Sequence, residues 1–269
     1  MSVLAAILLG LFGFLIGPLL GIAADRLVER ESFAATLRCQ RCRADLGGAH
    51  ALLPFASWRR RCPEDAGHAR WRYPLIDVST AAALAVAGWR FGFSWQLWPY
   101  VVFFAALVVM LVIDIEHHLL LNVLTYPTLL AGAFAVLVLS GPNGYSNGIN
   151  SAFITAVIFG VGFLALHLAY PPGLGLGDVK LIPSLALFIG WMTVDALDAV
   201  QRSLYMFIAA SLSLAVVGLG MKAWAKRQPE ERFADHPEDW VPGEVPMGPF
   251  LALATIVTIA LTQPASLAG

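Results

Sequence analysis

The stretch Phe103–Asp114 (FFAALVVMLVID) is an uninterrupted apolar run that ends in an aspartate. A carboxylate at the centre of a membrane helix costs roughly 2.5–3.5 kcal/mol or more, so an acid beside such a run usually has a function. A second aspartate, Asp178, lies within Gly175–Lys180 (GLGDVK) and directly precedes another apolar run. The two stretches predict a helical membrane protein in which two acids at helix ends share a proton in hydrolytic chemistry.

The composition of the whole chain agrees with residence in a bilayer. Charged residues make up 13% of it and hydrophobic residues 58%, with a mean hydropathy of +0.73, whereas a soluble domain has about 25% charged residues. A spanning helix needs about 20 apolar residues. The sequence therefore predicts an all-α, polytopic membrane bundle of about eight transmembrane helices, at residues 3–23, 75–91, 95–114, 119–140, 150–170, 178–194, 201–221 and 247–264.

Lysines and arginines are distributed unevenly between the connections of these predicted helices. If the segment 24–74 lies in the cytoplasm, 15 of the 17 Lys and Arg residues are cytoplasmic, and only Arg90 and Arg202 lie on the other side. Because cytoplasmic loops carry an excess of Lys and Arg, we expect eight spans with both termini outside. This orientation places the helix ends that bear Asp114 and Asp178 at the cytoplasmic face.

The chain divides into three parts. Residues 1–23 are predicted to form a first transmembrane helix that is retained, since no basic leading segment precedes it. Residues 24–74 form a cytoplasmic loop, and residues 75–269 form a membrane-embedded helix bundle. We see no acidic or basic tail in the sequence that would indicate a nucleic-acid partner, and we expect membrane lipids to surround the bundle.

Two glycines precede the second aspartate. Gly175 and Gly177 can adopt positive φ and allow another backbone to approach closely, and Asp178 follows them at the start of an apolar run. Taken alone, Gly-x-Gly-Asp is a common turn before a helix, and Asp114 alone is equally well explained by a polar turn. The functional interpretation depends on the two aspartates acting together.

Four motifs in order resemble those of the type IV prepilin peptidases, a family of membrane aspartyl proteases. Asp114–His117 with Leu124–Pro127 is similar to the family's first aspartate motif, and Gly175–Leu181 matches its Gly-x-Gly-Asp motif in full. Glu244–Phe250 resembles the segment that opens the family's last helix, and Arg72–Asp77 matches Arg-Tyr-Pro-x-x-Glu with Asp for Glu. The resemblance covers most of the chain.

The chain departs from the family pattern at two places. Leu120–Asn122 (LLN) stands where the family commonly has Leu-Pro-Asp, so a proline and a secondary acid are absent. Gly17–Gly21 (GPLLG) stands where the family has Gly-Ser-Phe-Leu-Asn. The resemblance is thus to a divergent member whose catalytic pair is intact.

The resemblance implies an endopeptidase of the bacterial inner membrane that acts at the cytoplasmic face. Its partners would be prepilin or pseudopilin precursors, cut between a short basic leader and a long apolar helix. Asp114 and Asp178 would be the catalytic residues. Roles in substrate binding or structural support would fall to Gly175, Gly177, Lys180, Glu244, Pro246 and Gly248. Lys180 is expected to reach lipid phosphate in preference to substrate.

Helix dipoles suggest how the pair divides the chemistry. Two carboxylates within hydrogen-bonding reach hold a single proton. Asp178 is predicted at a helix N-terminus, which favours negative charge, and Asp114 at a helix C-terminus, which disfavours it. We therefore expect Asp178 to be the ionised base and Asp114 the proton carrier. His117 and His118 either tune Asp114 or are merely interfacial, and His118 shares its face if the helix continues.

All three cysteines, Cys39, Cys42 and Cys62, lie in the predicted cytoplasmic loop. Because the cytosol disfavours disulfides, clustered thiols there indicate a metal, and a structural zinc takes four ligands. His68 is the favoured fourth ligand and Asp65 the alternative; a half-site without metal is the other interpretation. Many members of the family also methylate the new N-terminus with S-adenosylmethionine, and the residues of this chain leave that activity open.

Three other function classes compete with a prepilin peptidase. A transporter or proton channel also keeps acids within the membrane, but more often shows repeated halves or helices broken near mid-bilayer. Presenilin-like proteases share Gly-x-Gly-Asp but carry a later Pro-Ala-Leu, which this chain lacks. An inactive assembly scaffold would explain the departure at Leu120–Asn122, although both aspartates are retained.

Overall fold

The computed structural model describes residues 2–29, 68–142, 145–170, 175–227 and 245–262. Within these ranges the structure has eight helices and no strand, and each predicted segment overlaps one helix. The prediction of an all-α bundle is confirmed. The helices are α1 (Val3–Glu29), α2 (His68–Phe91), α3 (Leu97–His117), α4 (Asn122–Ser140), α5 (Ser146–Ala169), α6 (Leu176–Trp191), α7 (Ala196–Ala225) and α8 (Gly248–Leu261).

Five of these helices, α1, α3, α4, α5 and α7, are long and apolar enough to cross a membrane. α8 is a shorter apolar helix, and α6 has only 16 residues. α2 is long enough, but its sequence includes Arg70, Arg72, Asp77 and Arg90, which make it less apolar. The chain is therefore a polytopic helical membrane protein with several, but not eight, full-length apolar spans among the described helices.

α6 and α3 form the centre of the bundle. The residues of α6 are buried from Val179 to Trp191, with only Lys180 and Pro183 partly exposed. α6 packs against α4, α5, α7 and α8, while α3 packs against α1, α2, α4 and α8. Because other helices surround α6, its side chains contact protein more than lipid, and a short helix is sufficient there.

Aromatic side chains join α3 to α6 at the end of the bundle remote from the two aspartates. The rings of Phe103 and Phe188 stack with centroids 3.9 Å apart, and those of Tyr100 and Trp191 stack at 5.8 Å. The Tyr100 hydroxyl donates to the carbonyl oxygen of Phe188 at 2.6 Å. Each aromatic pair contributes about 0.5–1.5 kcal/mol beyond the area it buries, so this cluster fixes the position of α6 relative to α3.

A row of glycines lets α1 and α2 pack with their backbones in contact. A Cβ at Gly13 would lie 2.8 Å from the carbonyl oxygen of Thr80, and one at Gly17 would lie 2.7 Å from the Cα of Asp77. Small residues at such spacing permit close helix contact in membranes, where van der Waals packing replaces the hydrophobic effect. We call this row the glycine seam; it consists of Gly10, Gly13, Gly17 and Gly21.

Arg90 connects the end of α2 to the end of α8. Its side chain is buried, and it donates from Nε to the carbonyl oxygen of Ile259 at 3.2 Å and from Nη2 to that of Thr262. The last carbonyl groups of a helix carry partial negative charge, so a guanidinium there is favourable. In the sequence, Arg90 counted only as a positive charge on one side of the membrane. In the structure it caps the C-terminus of α8.

Gly88 provides a test of the close α1–α2 packing. A Cβ at this position would lie 2.6 Å from the carbonyl carbon of Ala5, so Gly88→Ala should push the helices apart. We expect a loss of about 1–3 kcal/mol in the free energy of unfolding, measured as a lower thermal midpoint in detergent.

The matched control is Gly218→Ala on α7, where a Cβ would meet nothing within 4 Å. In an open helical position alanine is favoured over glycine by about 1 kcal/mol, so this variant should unfold no earlier than the parent. Equal midpoints for the two variants would contradict the packing.

Candidate active site

Asp114 lies in the last turn of α3 and is buried, with 6% of its surface exposed. Its Oδ2 accepts a hydrogen bond from the backbone N–H of Gly248, with nitrogen and oxygen 2.9 Å apart. Gly248 is the first residue of α8, and the first N–H groups of a helix have no partner within the helix. The N-terminus of α8 therefore points at the carboxylate of Asp114.

Gly248 is needed at this position because of the closeness of the carboxylate. A Cβ added there would overlap Oδ2 of Asp114 and lie 3.0 Å from its Cγ. Pro249, which follows, sits in the first turn of α8, where its missing N–H removes no helical hydrogen bond. The sequence Met247–Pro249 thus builds a helix start that brings a backbone donor, without a side chain, against an acid.

Asp178 lies in the first turn of α6 and is partly buried. Gly175, the residue before α6, has φ −61° and ψ 136°, and Gly177 is helical, so neither uses the positive φ that the sequence allowed. The atoms that approach them closely belong to side chains and not to the second backbone that the sequence led us to expect. A Cβ at Gly177 would lie 2.9 Å from Cβ of Leu120, and one at Gly175 would lie 3.1 Å from Oδ2 of Asp178.

The two aspartates belong to separate helices, and the fold places them in the same region of the bundle. Gly177 contacts the turn that follows α3, and the charge of Asp114 acts on Asp178. The sequence predicted both acids at helix ends of one face, and in the structure they lie near enough for the charge of one to influence the other. A pair of neighbouring carboxylates that is partly shielded from solvent can hold one proton between them and activate a water molecule.

The turn after α3 differs from one sequence expectation. α3 ends at His117, and His118 adopts a left-handed conformation with φ 50°, its N–H donating to the carbonyl oxygen of Asp114 at 3.0 Å. The helix does not continue, so His118 does not share the helical face of Asp114, and its side chain is exposed. Its backbone turn directs the chain so that Leu120 reaches Gly177.

Lys180 has a protein partner that the sequence did not indicate. Its Nζ donates to Oδ1 of Asn122 at 2.9 Å and lies 5.9 Å from the centroid of the Tyr126 ring. The sequence favoured lipid phosphate for Lys180 and treated Asn122 only as the loss of an acid. A lysine of the matched Gly-x-Gly-Asp motif and an amide at one of the two departures from the family pattern thus form one contact.

Several predicted site residues lie outside the residues that the structure describes. These are Glu244, Cys39, Cys42 and Cys62, with Asp65 as the alternative ligand; His68 begins α2, but its side chain is not described. Pro246 is described and lies two residues before Gly248, partly buried. Among the described residues no group of three metal-ligating side chains occurs. The zinc prediction concerns side chains that the structure does not describe, so it stays a prediction.

Two family models match the chain. One, for the Type IV leader peptidase family, matches residues 101–219, and the other, for the Bacterial Peptidase A24 N-terminal domain, matches residues 11–91. The first contains both aspartates, and together the two ranges span most of the sequence. The chain belongs to the type IV leader peptidase family.

Curated relatives agree with the family. The chain is 28% identical to the prepilin leader peptidase/N-methyltransferase of Stutzerimonas stutzeri, over 82% of this chain and 70% of the relative. It is 26% identical to the protein of the same name in Pseudomonas aeruginosa, over 94% of this chain and 88% of the relative. For the Myxococcus xanthus protein of that name the identity is 29%, over 81% of this chain but only 63% of the relative. No solved structure matches this member of the family.

Gly248→Ala tests the hydrogen bond to Asp114. The new methyl group would displace either α8 or the carboxylate, and a hydrogen bond to a charged group is worth about 1.5–3 kcal/mol. We expect hydrolysis of a leader-bearing precursor to slow roughly 10- to 100-fold, measured as initial rates by gel shift.

Gly220→Ala on α7 is the control, since a Cβ there meets nothing within 4 Å; its rate should equal that of the parent. A Gly248→Ala variant that is as active as this control would show that the N–H of Gly248 does not serve Asp114.

Proposed function

We propose that the chain is a membrane aspartyl endopeptidase that removes the basic leader from type IV prepilin or pseudopilin precursors, with Asp114 and Asp178 as its catalytic residues. The observation that carries the proposal is the proximity of these two acids, from α3 and α6, with Asp114 hydrogen-bonded to the N-terminus of α8. Membership of the leader peptidase family supplies the reaction class, and the relatives' names supply the substrate class.

The chemistry requires one ionised and one protonated carboxyl group. The ionised carboxylate takes a proton from water as that water attacks the scissile carbonyl carbon. The protonated carboxyl group donates its proton to the carbonyl oxygen, which yields a tetrahedral intermediate. As the intermediate collapses, the carboxyl group that took the proton from water gives it to the leaving nitrogen, the other carboxylate takes a proton from a hydroxyl of the intermediate, and the C–N bond breaks. The leader leaves with a new carboxyl terminus and the mature protein with a new amine.

The geometry favours a division of roles opposite to the one expected from the sequence. That expectation counted only the dipoles of the helices that bear Asp114 and Asp178. Asp114 also accepts the N–H of Gly248 at the N-terminus of α8, and a hydrogen bond donated to a carboxylate favours its charged form. Among the described residues no hydrogen bond reaches the carboxyl group of Asp178. We therefore assign the base to Asp114 and the proton to Asp178.

The proposal includes the setting of the reaction. The chain is a multi-pass membrane protein, and the excess of Lys and Arg in residues 24–74 and 221–246 supports a cytoplasmic position for the connections next to the active site. We place the enzyme in the bacterial inner membrane with the active site facing the cytoplasm, where a leader that is basic can remain. Lipid headgroups are the other expected partners of these arginines.

The proposal also includes two small-molecule or metal partners, S-adenosylmethionine and zinc. The relatives' names include N-methyltransferase, which supports S-adenosylmethionine as a cosubstrate for methylation of the new N-terminus. The Cys-x-x-Cys pattern at Cys39 and Cys42, with Cys62 and His68, supports a structural zinc in the cytoplasmic segment. Neither cofactor takes part in the peptide hydrolysis described above.

Asp114→Asn and Asp178→Asn test the catalytic pair. An amide can neither accept a proton from water nor supply one to the carbonyl oxygen, so each change should reduce cleavage by roughly 10²–10⁴-fold, to background. The measurement is co-expression with a tagged prepilin, followed by gel shift and N-terminal sequencing of the product; expression and substrate binding should remain.

Asp198→Asn is the matched control, since Asp198 lies near the start of another helix, α7, and pairs with Arg202 at 2.8 Å. This pair is partly exposed and is worth only about 0.3–0.5 kcal/mol. Cleavage that survives in either of the first two variants would refute the two-aspartate mechanism.

Metal analysis of the purified protein tests the zinc proposal. We expect about one zinc per chain in the parent and well under one in Cys39→Ser and Cys62→Ser, because a structural site needs all four ligands. His68→Asn and Asp65→Asn then identify the fourth ligand. His50→Asn, a change of another histidine in the same segment, should keep the metal, and a parent with well under one zinc would eliminate the site.

A further inference from the structure

A polar contact joins α6 to α4 at the end of the bundle that bears the two aspartates. α3 and α6 are fixed to each other at the aromatic end of the bundle, by Phe103, Phe188 and the hydroxyl of Tyr100. Asp114 and Asp178 lie at the other ends of these two helices. The separation of the two acids therefore depends on the contacts made at their own end of the bundle.

Within the part of the chain that the structure describes, a hydrogen bond between Lys180 and Asn122 links α6 to α4 at that end. Lys180 lies in the first turns of α6, two residues after Asp178, and Asn122 is the first residue of α4, eight residues after Asp114. The 2.9 Å hydrogen bond from Nζ to Oδ1 joins these two elements. The intervening chain is a short turn whose course is set by the left-handed His118.

We infer that this hydrogen bond, the Lys180–Asn122 clasp, positions Asp178 against Asp114, so that Lys180 and Asn122 are positioning residues for the proposed hydrolysis. The inference rests on the proposed function for its readout. The clasp acts through geometry and contacts neither the water nor the scissile bond.

Two neighbouring contacts support the clasp, one beside Asp178 and one on α4. Gly177, one residue before Asp178, lies against the side chain of Leu120 in the same turn, so the start of α6 already packs on the turn after α3 at this point. The ring of Tyr126, one turn further along α4 than Asn122, faces the ammonium group at 5.9 Å, a distance at which a cation is attracted to the ring. Lys180 is thereby held on α4 from two sides.

The amide of Asn122 makes the clasp depend on hydrogen-bond geometry more than on charge. A neutral acceptor does not compensate the ammonium charge, so the attraction is strong only when Nζ and Oδ1 are aligned. An aspartate at the same position would accept the same hydrogen bond and add an ion pair. Asn122→Asp is therefore the conservative variant that should keep the clasp.

Steady-state kinetics of the full-length chain on a purified prepilin test the inference. Lys180→Met and Asn122→Leu should each lower kcat by roughly 10- to 100-fold, because a misplacement of about 1 Å costs up to 10²-fold, and KM should change less than about twofold. Asn122→Asp should keep the kcat of the parent. The exchange variant, Lys180→Asn with Asn122→Lys, should recover most of kcat because donor and acceptor are both present again.

A double variant and a control complete the design. Lys180→Met combined with Asn122→Leu should be no slower than either single variant, since one bond is lost in all three. Lys222→Met, which removes an exposed lysine at the end of α7, should match the parent.

Two results would overturn the clasp. The first is a raised KM at constant kcat in Lys180→Met, which would make Lys180 a substrate-binding residue. The second is multiplicative effects of the two single changes with no recovery in the exchange variant. Either result, in an enzyme whose Asp114→Asn and Asp178→Asn variants are inactive, would refute the clasp and leave the peptidase proposal standing. Activity in those two aspartate variants would refute the peptidase proposal itself.

Discussion

The hydrogen bond from the first N–H of α8 to the carboxylate of Asp114 is the constraint on which the site depends. A buried acid without a donor is costly, and the start of a helix is the one part of a helical bundle that offers free backbone donors. Because the donor is a backbone group, residue 248 must lack a side chain, and glycine is the residue that meets this condition. α8 is thus tied to α3.

α6 supplies the second acid from a different kind of environment. It is short, surrounded by four helices and almost wholly buried, so its position is set by packing and not by the thickness of a bilayer. The aromatic contact between Phe103 and Phe188 fixes one end, and Gly177 against Leu120 brings the other end to the turn after α3. A helix held in this way can present Asp178 at a defined height beside Asp114.

The helices and the two acids could be predicted from the sequence, whereas the contacts between residues far apart in the chain could not. Hydrophobic runs predicted the eight helices, and the motifs around Asp114 and Asp178 predicted the pair, because both are encoded in contiguous residues. The bond from Gly248 to Asp114 joins residues 134 positions apart, and that from Lys180 to Asn122 joins residues 58 apart. From the sequence, the roles of the acids were assigned by the dipoles of their own helices, whereas the reversed assignment that we propose depends on the N-terminus of a third helix, α8.

The position of α8 along its own axis follows from contacts at both of its ends. At its start Gly248 donates to Asp114 of α3, and at its end the carbonyl oxygens of Ile259 and Thr262 accept from Arg90 of α2. A helix of 14 residues is about 21 Å long, so these two contacts are separated by most of the bundle. A shift of α8 that improved one of them would break the other. The buried arginine far from the acids therefore helps to hold the N–H at the carboxylate, and the unpaired ends of one helix are both satisfied by charged side chains of its neighbours.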